Sequence, residues 1–373
     1  MTKTICHISS AHDADDIRIF QKECVSLARA GYDVYFVATN TESKNVDGVS
    51  IVGVPVKTVN PVYRFLFSSR KVYKTALSIN AEIYHFHDIE LFRYGVKLKK
   101  KGFKVIFDSH ENWIGYVDEI SWLPSPVKML CTSIIRRWYR KYLNLFDKVI
   151  TVSPHIVDSL KEYCGKVEVV ANYPIINSTF DSISRDSFLK RSNSICYAGT
   201  VYTNSNQETI LNSLSQISNV EYIIVGTISD EYKKKLQMLP GWSKVKFIDK
   251  VPKSELGKIF DKCIAGIILF DYSPNCGGKR GTMGNNKIFE YMEAGLPIIC
   301  TDFDEWKINI VEKYNCGFCV EPRNSEQLSG VLTALTSNMN QTYEMAINAR
   351  RAVVEEFNWK TQEIVLLNLY DSL

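Results

Sequence analysis

The sequence predicts an α/β protein made of two doubly wound parallel sheets facing a cleft, and three observations lead there. Short β-branched or aromatic runs alternate with helical stretches along almost the whole chain. Such alternation belongs to parallel sheets, because parallel neighbours must be joined by a crossover. The series occurs twice, separated at residues 172–194 by NYPII and a Ser/Asp-rich stretch without hydrophobic periodicity. A length of 373 residues also exceeds what one ordinary core encloses.

The first series places strands at 4–9, 33–38, 51–54, 83–87, 105–108, 149–152 and 167–170, with helical stretches such as 17–30, 63–78 and 155–163. The second places strands at 195–199, 222–226, 245–248, 264–270, 297–300 and 317–320. The expected division is an N-terminal domain at 1–174, a C-terminal domain at 190–355 and a closing helix at 356–373 with apolar Ile364, Leu366, Leu367 and Tyr370. Ligands of such folds bind outside the carboxyl ends of the strands, so the residues that end strands carry the interest.

One cassette concentrates that interest. The run NNKIFEYMEAGLPII at 285–299 reads as loop, helix 286–293 and strand, the helix being stopped by Gly295 and Pro297. The first backbone N–H groups of that helix favour an anion, and Lys287 adds a full cation. Glu290 lies one turn on, on the same side as Asn286 and Lys287, so a phosphate and a hydroxyl-rich group can be held together. A lone Lys/Glu pair at this spacing is equally a solvated surface pair. No GxGxxG occurs, which argues against an ordinary dinucleotide enzyme.

At the N-terminal strand ends stand HFHD (His85 to Asp88) and FDSHEN (Phe107 to Asn112). His85 reads as a satisfied core histidine, whereas His87 and His110 read as functional. Two literal DxD patterns, Asp13/Asp15 and Asp302/Asp304, read as solvated or capping aspartates, so no metal and no cofactor is expected. The ten cysteines fall mostly in apolar patterns, as reduced buried thiols do, and the Cys316/Cys319 pair lacks a second half for zinc.

With 45% hydrophobic residues, 12% aromatic, 23% charged and a net charge of +4, the chain reads as a globular protein without global affinity for nucleic acid. No apolar run reaches the roughly 18 residues of a membrane span, and MTKTICHISS lacks a signal-peptide core, so a cytoplasmic protein is expected. Basic and aromatic residues nevertheless concentrate at 64–74 and 124–146, where Ile134, Trp138, Tyr142 and Leu145 form one helical stripe beside Arg136, Arg137, Arg140 and Lys141. This predicts peripheral docking on the anionic inner face of the plasma membrane.

NNKIFEYMEAGLPIICTDFDEW followed by YNCGFCVEP, with AHDADDIRIFQKE, HFHD, FDSHEN, FDKVITVSPHI and VVANYP upstream, resembles bacterial glycosyltransferases of the family 4 type with the GT-B fold. The resemblance covers residues 3–373. It implies a retaining enzyme that moves a sugar from a nucleotide diphosphate to a hydroxyl on a glycan or lipid-linked acceptor, in capsule, O-antigen or exopolysaccharide assembly. It further implies that Glu290 accepts from ribose hydroxyls, that Lys287 faces the diphosphate, that the last helix crosses back to the N-terminal domain, and that His87 lies near the transferred sugar, with Asp88 a further candidate for contacting the acceptor hydroxyl. Gly199, Thr200, Val251 and Asn286 would complete the nucleotide-sugar site, and Asp16, His110 and Glu111 the acceptor side. The chain departs from the pattern at Thr282, where many members carry a glutamate eight residues before the one matched by Glu290. GTVYTNSNQE also lacks their usual Arg and Lys, for which Lys279 and Arg280 are the substitutes at hand. The rival readings are a non-catalytic nucleotide-sugar-binding subunit and a GT-B epimerase.

Overall fold

The computed structural model describes residues 2–56, 61–176 and 183–373. The chain forms two compact units, Met1–Asn172 with Trp359–Leu373, and Tyr173–Asn358.

The first unit holds one eight-stranded sheet. Its strands are β1 (Thr4–Ile8), β2 (Asp33–Thr39), β3 (Lys44–Val46), β4 (Val49–Val54), β5 (Ile83–Phe86), β6 (Lys104–Ser109), β7 (Lys148–Thr151) and β8 (Val167–Val169). They lie in the order β3-β4-β2-β1-β5-β6-β7-β8. All pair in parallel except β3 with β4. The sequence reading misses β3, a three-residue strand joined to β4 through Asp47 and Gly48, both at positive φ. Asp-Gly with two left-handed residues is the two-residue hairpin turn.

Both faces of this sheet are covered. Tyr84, Phe86, Phe92, Phe107, Tyr139 and Phe146 form the core on one side. On the other, Ile5, Phe36, Ile106 and Ile150 pack with Trp359, Leu366, Leu369 and Tyr370 of the final helix Trp359–Asp371. That helix therefore belongs to the first sheet although it ends the chain; of its expected apolar face, Ile364 points out to solvent instead.

The second unit holds six parallel strands, β9 (Ser194–Ala198), β10 (Glu221–Gly226), β11 (Val245–Asp249), β12 (Ala265–Ile268), β13 (Ile298–Thr301) and β14 (Gly317–Val320). Their order is β11-β10-β9-β12-β13-β14. Counted from the first strand of the unit this is 3-2-1-4-5-6, the doubly wound dinucleotide-fold order, whose switch point lies between β9 and β12. In the first unit the equivalent reversal falls between β1 and β5. The stretch expected as linker is partly built into the second unit, since Ser184 caps the helix Arg185–Leu189 and Phe188 is buried against Tyr343.

Candidate active site

In the second unit the site grows from the carboxyl end of β9. Gly199 follows the strand at φ 132°, a backbone conformation open to glycine. A Cβ at this position would lie 2.5 Å from Lys287 Cε, so the glycine makes room for the lysine stem. The helix Asn286–Glu293 starts where Asn285 Oδ1 accepts the Lys287 backbone N–H at 3.1 Å. Lys287 thus reaches from a helix N-terminus over the end of the central strand, its ammonium 5.7 Å from the Tyr197 ring centre. Burial lowers its pKa, and Glu290 pulls in the opposite direction. No carboxylate among the described residues lies within ion-pair distance of Lys287, so a desolvated cation is held beside exposed backbone N–H groups, an arrangement suited to an anion.

The neighbours are equally ordered. Thr200 O accepts from Tyr197 Oη at 2.8 Å, and the hydroxyls of Thr200 and Thr227 lie 3.2 Å apart. Asn286 Oδ1 is buried with no hydrogen-bond donor. Glu290 borders a cavity of about 300 Å³ lined also by Lys253, Leu256, Gly257 and Phe260, and Lys253 Nζ sits 3.2 Å from Glu290 Oε1. Val251 packs half-buried on the core beside it. Thr282 Oγ1 accepts the Gly284 N–H at 3.0 Å and its carbonyl accepts from Trp306 Nε1 at 2.6 Å, so this residue braces the loop before the helix. Lys279 pairs with Asp302, which Tyr272 also contacts, so its charge is neutralised locally. Arg280 pairs with Glu305 at 2.9 Å.

In the first unit the sequence-predicted residues gather at the switch point between β1 and β5. His7 and His85 are direct Cα partners in register, and Phe86 opposite Phe107 sets His87 beside Asp108. Side chains two residues apart share a face, so three histidines and a carboxylate converge. Asp16 Oδ1 accepts the N–H groups of Arg18 and Ile19, each at 2.8 Å, and starts a wide π-turn at Ile17–Cys24 that turns Arg18, Lys22 and Glu23 inward. Arg18 donates to Asp108 Oδ2 through Nε at 3.0 Å and to Val170 O through Nη1 at 2.8 Å, with Nη2 3.1 Å from Glu23 Oε1.

These groups titrate far from their usual ranges. Burial lowers His7 and His85 well below the ordinary histidine range, and lowers His87 to about 4 against the pull of Asp108. Burial raises Glu23 well above the carboxylate range, Arg18 opposing it. Asp108 is also desolvated, but Arg18, His110 and His87 outweigh that and hold it well below its usual value.

Accessibility sorts the candidates. His87 is fully buried and Asp88 nearly so; Asp88 Oδ2 accepts from Ser10 N at 2.5 Å, Ser9 Oγ at 3.0 Å and Ala11 N at 3.2 Å. Both shape the floor, out of reach of a ligand in this conformation. The rim is formed by His12, Asp16, His110 and the exposed Glu111. His12 Nδ1 lies 3.1 Å from Asp16 Oδ2 and its Nε2 3.5 Å from Asp88 Oδ1, while His110 Nδ1 lies 3.3 Å from Asp108 Oδ1. His85, expected in the core, is there, 2.7 Å from Tyr370 Oη. Sequence reasoning left Arg18, Glu23, Tyr370 and His12 out of the site. The DDIRIFQKE string carries the signal for the first two, since charges recur on the face that bears Ile19 and Phe20.

All ten cysteines are free thiols. The expected stripe on the helix Ser125–Tyr142 is corrected: Trp138 and Tyr142 pack on the core beside buried Ile135 and Tyr139. Ile134 and Leu145 of that stripe are exposed, together with Trp122, Val127, Met129 and Leu130, and with Val62, Leu66 and Phe67 at or beside the other basic stretch. No helix among the described residues is long and apolar enough to cross a membrane.

Two doubly wound domains, the second presenting a cation and a carboxylate beyond its switch point, define the architecture of GT-B glycosyltransferases. Solved structures agree: sucrose-phosphate synthase (tll1590) from Thermosynechococcus elongatus superposes with a TM-score of 0.75 at 15% identity, covering 99% of this chain and 98% of that one. HepE (Alr3699) of Anabaena in complex with UDP-glucose gives 0.72 at 14% identity over 100% of both chains. WaaG, a glycosyltransferase involved in lipopolysaccharide biosynthesis, gives 0.69 at 14% over 98% and 99%. No curated protein matches the sequence. The family model Glycosyltransferase Family 4 matches residues 22–173, and Glycosyl transferases group 1 matches 180–352. The chain belongs to the family 4 type of glycosyltransferases and is an enzyme of that class.

Proposed function

We propose that the enzyme transfers a sugar, with retention of anomeric configuration, from a nucleotide diphosphate to a hydroxyl of a glycan or lipid-linked acceptor in surface-polysaccharide assembly. The observation that carries this reading is Lys287, desolvated, unpaired among the described residues and lodged against Gly199, with Glu290 one turn away. The diphosphate lies at Lys287, the helix N-terminus, Asn286, Gly199 and Thr200; the ribose hydroxyls donate to Glu290 at the mouth of the 300 Å³ cavity, displacing Lys253. Val251 borders the base, and Lys279 draws on its loop. A UDP sugar is the favoured donor, because HepE holds UDP-glucose on the same fold.

Departure of the nucleotide leaves negative charge on the diphosphate, and Lys287 with the helix dipole stabilises that charge as it develops. The protein otherwise works by positioning, with the leaving phosphate taking the acceptor proton. We read transfer as metal-independent, with Lys279 paired to Asp302 of the second DxD pattern. On the acceptor side His12, Asp16, His110 and Glu111 meet the incoming hydroxyl, while His87 and Asp88 fix the floor.

The exposed apolar residues at 122–134 sit on a stretch that has Lys128, Arg136, Arg137, Arg140 and Lys141 and no acid between 125 and 146. That combination matches an anionic lipid surface and a cytoplasmic enzyme docked peripherally on lipid-linked acceptors. A thermal-shift screen across nucleoside diphosphates, followed by incubation with the matching nucleotide sugars, tests the function. Stabilisation with transfer or slow donor hydrolysis is expected; binding without turnover points to a non-catalytic subunit, and an isomerised donor to an epimerase.

A further inference from the structure

The first unit encloses a set of side chains that sugar transfer leaves unexplained. His7, Glu23, His85 and His87 are fully buried, and one donor atom from each lies within 4.8 Å of all the others. Glu23 divides its carboxylate: Oε1 faces Arg18 at 3.1 Å, and Oε2 faces His7 Nδ1 at 3.8 Å, His87 Nε2 at 3.9 Å and His85 Nδ1 at 4.0 Å. Neither oxygen has a hydrogen-bond donor of proper geometry. Separations of 3.8–4.0 Å are too long for hydrogen bonds. Ligand atoms around a tetrahedral ion with bonds of about 2.0–2.1 Å stand roughly 3.3 Å apart, so a closure of about half an ångström would bring these atoms onto one.

We propose that this cluster is a structural divalent-metal site of the zinc class, with His7 Nδ1, His87 Nε2 and Glu23 Oε2 as ligands and His85 Nδ1 at the fourth corner. Proton placement supports it. His87 Nδ1 lies 3.4 Å from Asp108 Oδ2, and a proton on that nitrogen leaves the Nε2 lone pair facing inward. His7 Nε2 lies 3.1 Å from Tyr370 Oη, and the tautomer protonated there leaves the Nδ1 lone pair facing inward as well. The two inward nitrogens stand 3.0 Å apart beside a carboxylate oxygen, and a cation among the three satisfies all of them at once. His85 joins by exchanging its 2.7 Å bond to Tyr370 Oη for the ion.

The surroundings have the second layer that metal-bound histidines ordinarily show. Asp108 orients His87, Tyr370 orients His7, and Arg18 occupies the other oxygen of Glu23. Three imidazoles with one carboxylate select zinc or its nearest substitutes over magnesium or calcium, which take oxygen ligands. The ion would tie β1, β5 and the π-turn to the final helix through Tyr370, and, being buried, would enter as the unit folds.

The test is refolding of the metal-depleted full-length chain with Co²⁺ alone, followed by exchange with Zn²⁺. Expected are one equivalent of Co²⁺ with the visible d–d bands of a four-coordinate site, their loss as Zn²⁺ displaces it, and a higher Tm with either ion. Glu23→Gln and His7→Gln should lose the bands, and His155→Asn, outside the cluster, should keep them. A folded wild-type chain that takes up neither ion in stoichiometric amount overturns the proposal whatever the variants do. So do bands that survive Glu23→Gln or that vanish in His155→Asn.

Discussion

Gly199→Ala tests whether the Lys287 ammonium is held where it is by the absence of a side chain at the end of β9. Two costs follow from the geometry. The φ of 132° is strained for alanine, at about 1–3 kcal/mol, and the new Cβ meets Lys287 Cε at 2.5 Å, an overpacking of about 1–3 kcal/mol unless the stem moves. Movement relieves the second cost and removes the cation from its place. For a domain of this size a total of about 2–6 kcal/mol lowers Tm by roughly 4–24 °C. Displacement of the ammonium by an ångström lowers turnover by about 10²-fold.

A double-mutant cycle with Lys287→Ala separates the two, because the shortened residue leaves the new Cβ free of contact. In that background Gly199→Ala should cost only the backbone strain, giving a coupling of about 1–3 kcal/mol in denaturant melts and a strongly sub-additive loss of kcat. Lys287→Ala alone should reduce turnover more than donor binding, since it acts on charge that appears as the nucleotide leaves. Additivity within about 0.5 kcal/mol, or a Gly199→Ala enzyme with wild-type kcat, would refute the reasoning.

Glu290→Ala should weaken nucleotide binding by roughly 1.5–3 kcal/mol in calorimetry; an unchanged affinity in a folded variant removes Glu290 from the ribose. Transfer should proceed in excess chelator without added Mg²⁺ or Mn²⁺, and a loss restored by either ion would place a metal at the diphosphate. Asp16→Asn should lower the His12 pKa, followed by NMR of the ring protons: burial alone would lower it, and Asp16 and Asp88 are what raise it. The sign of the stability effect differs between the two partners. The raised His12 stabilises below about pH 6.5 and loses its contribution as pH rises through its folded pKa, whereas Asp16, lowered to about 2, stabilises above about pH 3.9 and loses its contribution as pH falls from there through its folded pKa of about 2. Anionic vesicles should carry the protein at low salt and release it at high salt, with charge reversal at Arg136, Arg137 and Arg140 weakening binding; a protein that stays free of them at low ionic strength has a soluble acceptor.

The second unit was the more legible half, for a physical reason. Its site is built from local geometry: the helix at 286–293 has the bounds its capping and stop residues imply, and Gly199 sits where a strand ends. Chemistry and spacing along the chain therefore lie close to chemistry and spacing in space. What the sequence hides there is the pairing of Lys279 with Asp302 and of Lys253 with Glu290, because exposed long side chains choose among partners that only the folded surface brings near. The Asp47-Gly48 hairpin was legible as an Asp-Gly turn and went unread because β3 is only three residues long.

The first unit shows where such reading stops. His7, Glu23, His87, Asp108 and Tyr370 span most of the chain length, and each looks ordinary alone: a strand histidine, a helix glutamate, a tyrosine on an apolar face. Their convergence depends on the register that sets His7 against His85 and on a π-turn in place of the expected regular helix, which rotates Glu23 inward. It depends as well on the last helix delivering Tyr370 to within 2.7 Å of His85. Register follows from burial on both faces of the sheet, and no local pattern encodes it. Charged groups enclosed this completely are costly unless something compensates them. Arg18 compensates Asp108 and one oxygen of Glu23; the other oxygen has no hydrogen-bond donor, and the inward nitrogens of His7 and His87 face only each other at 3.0 Å, an arrangement that the proposed cation would complete.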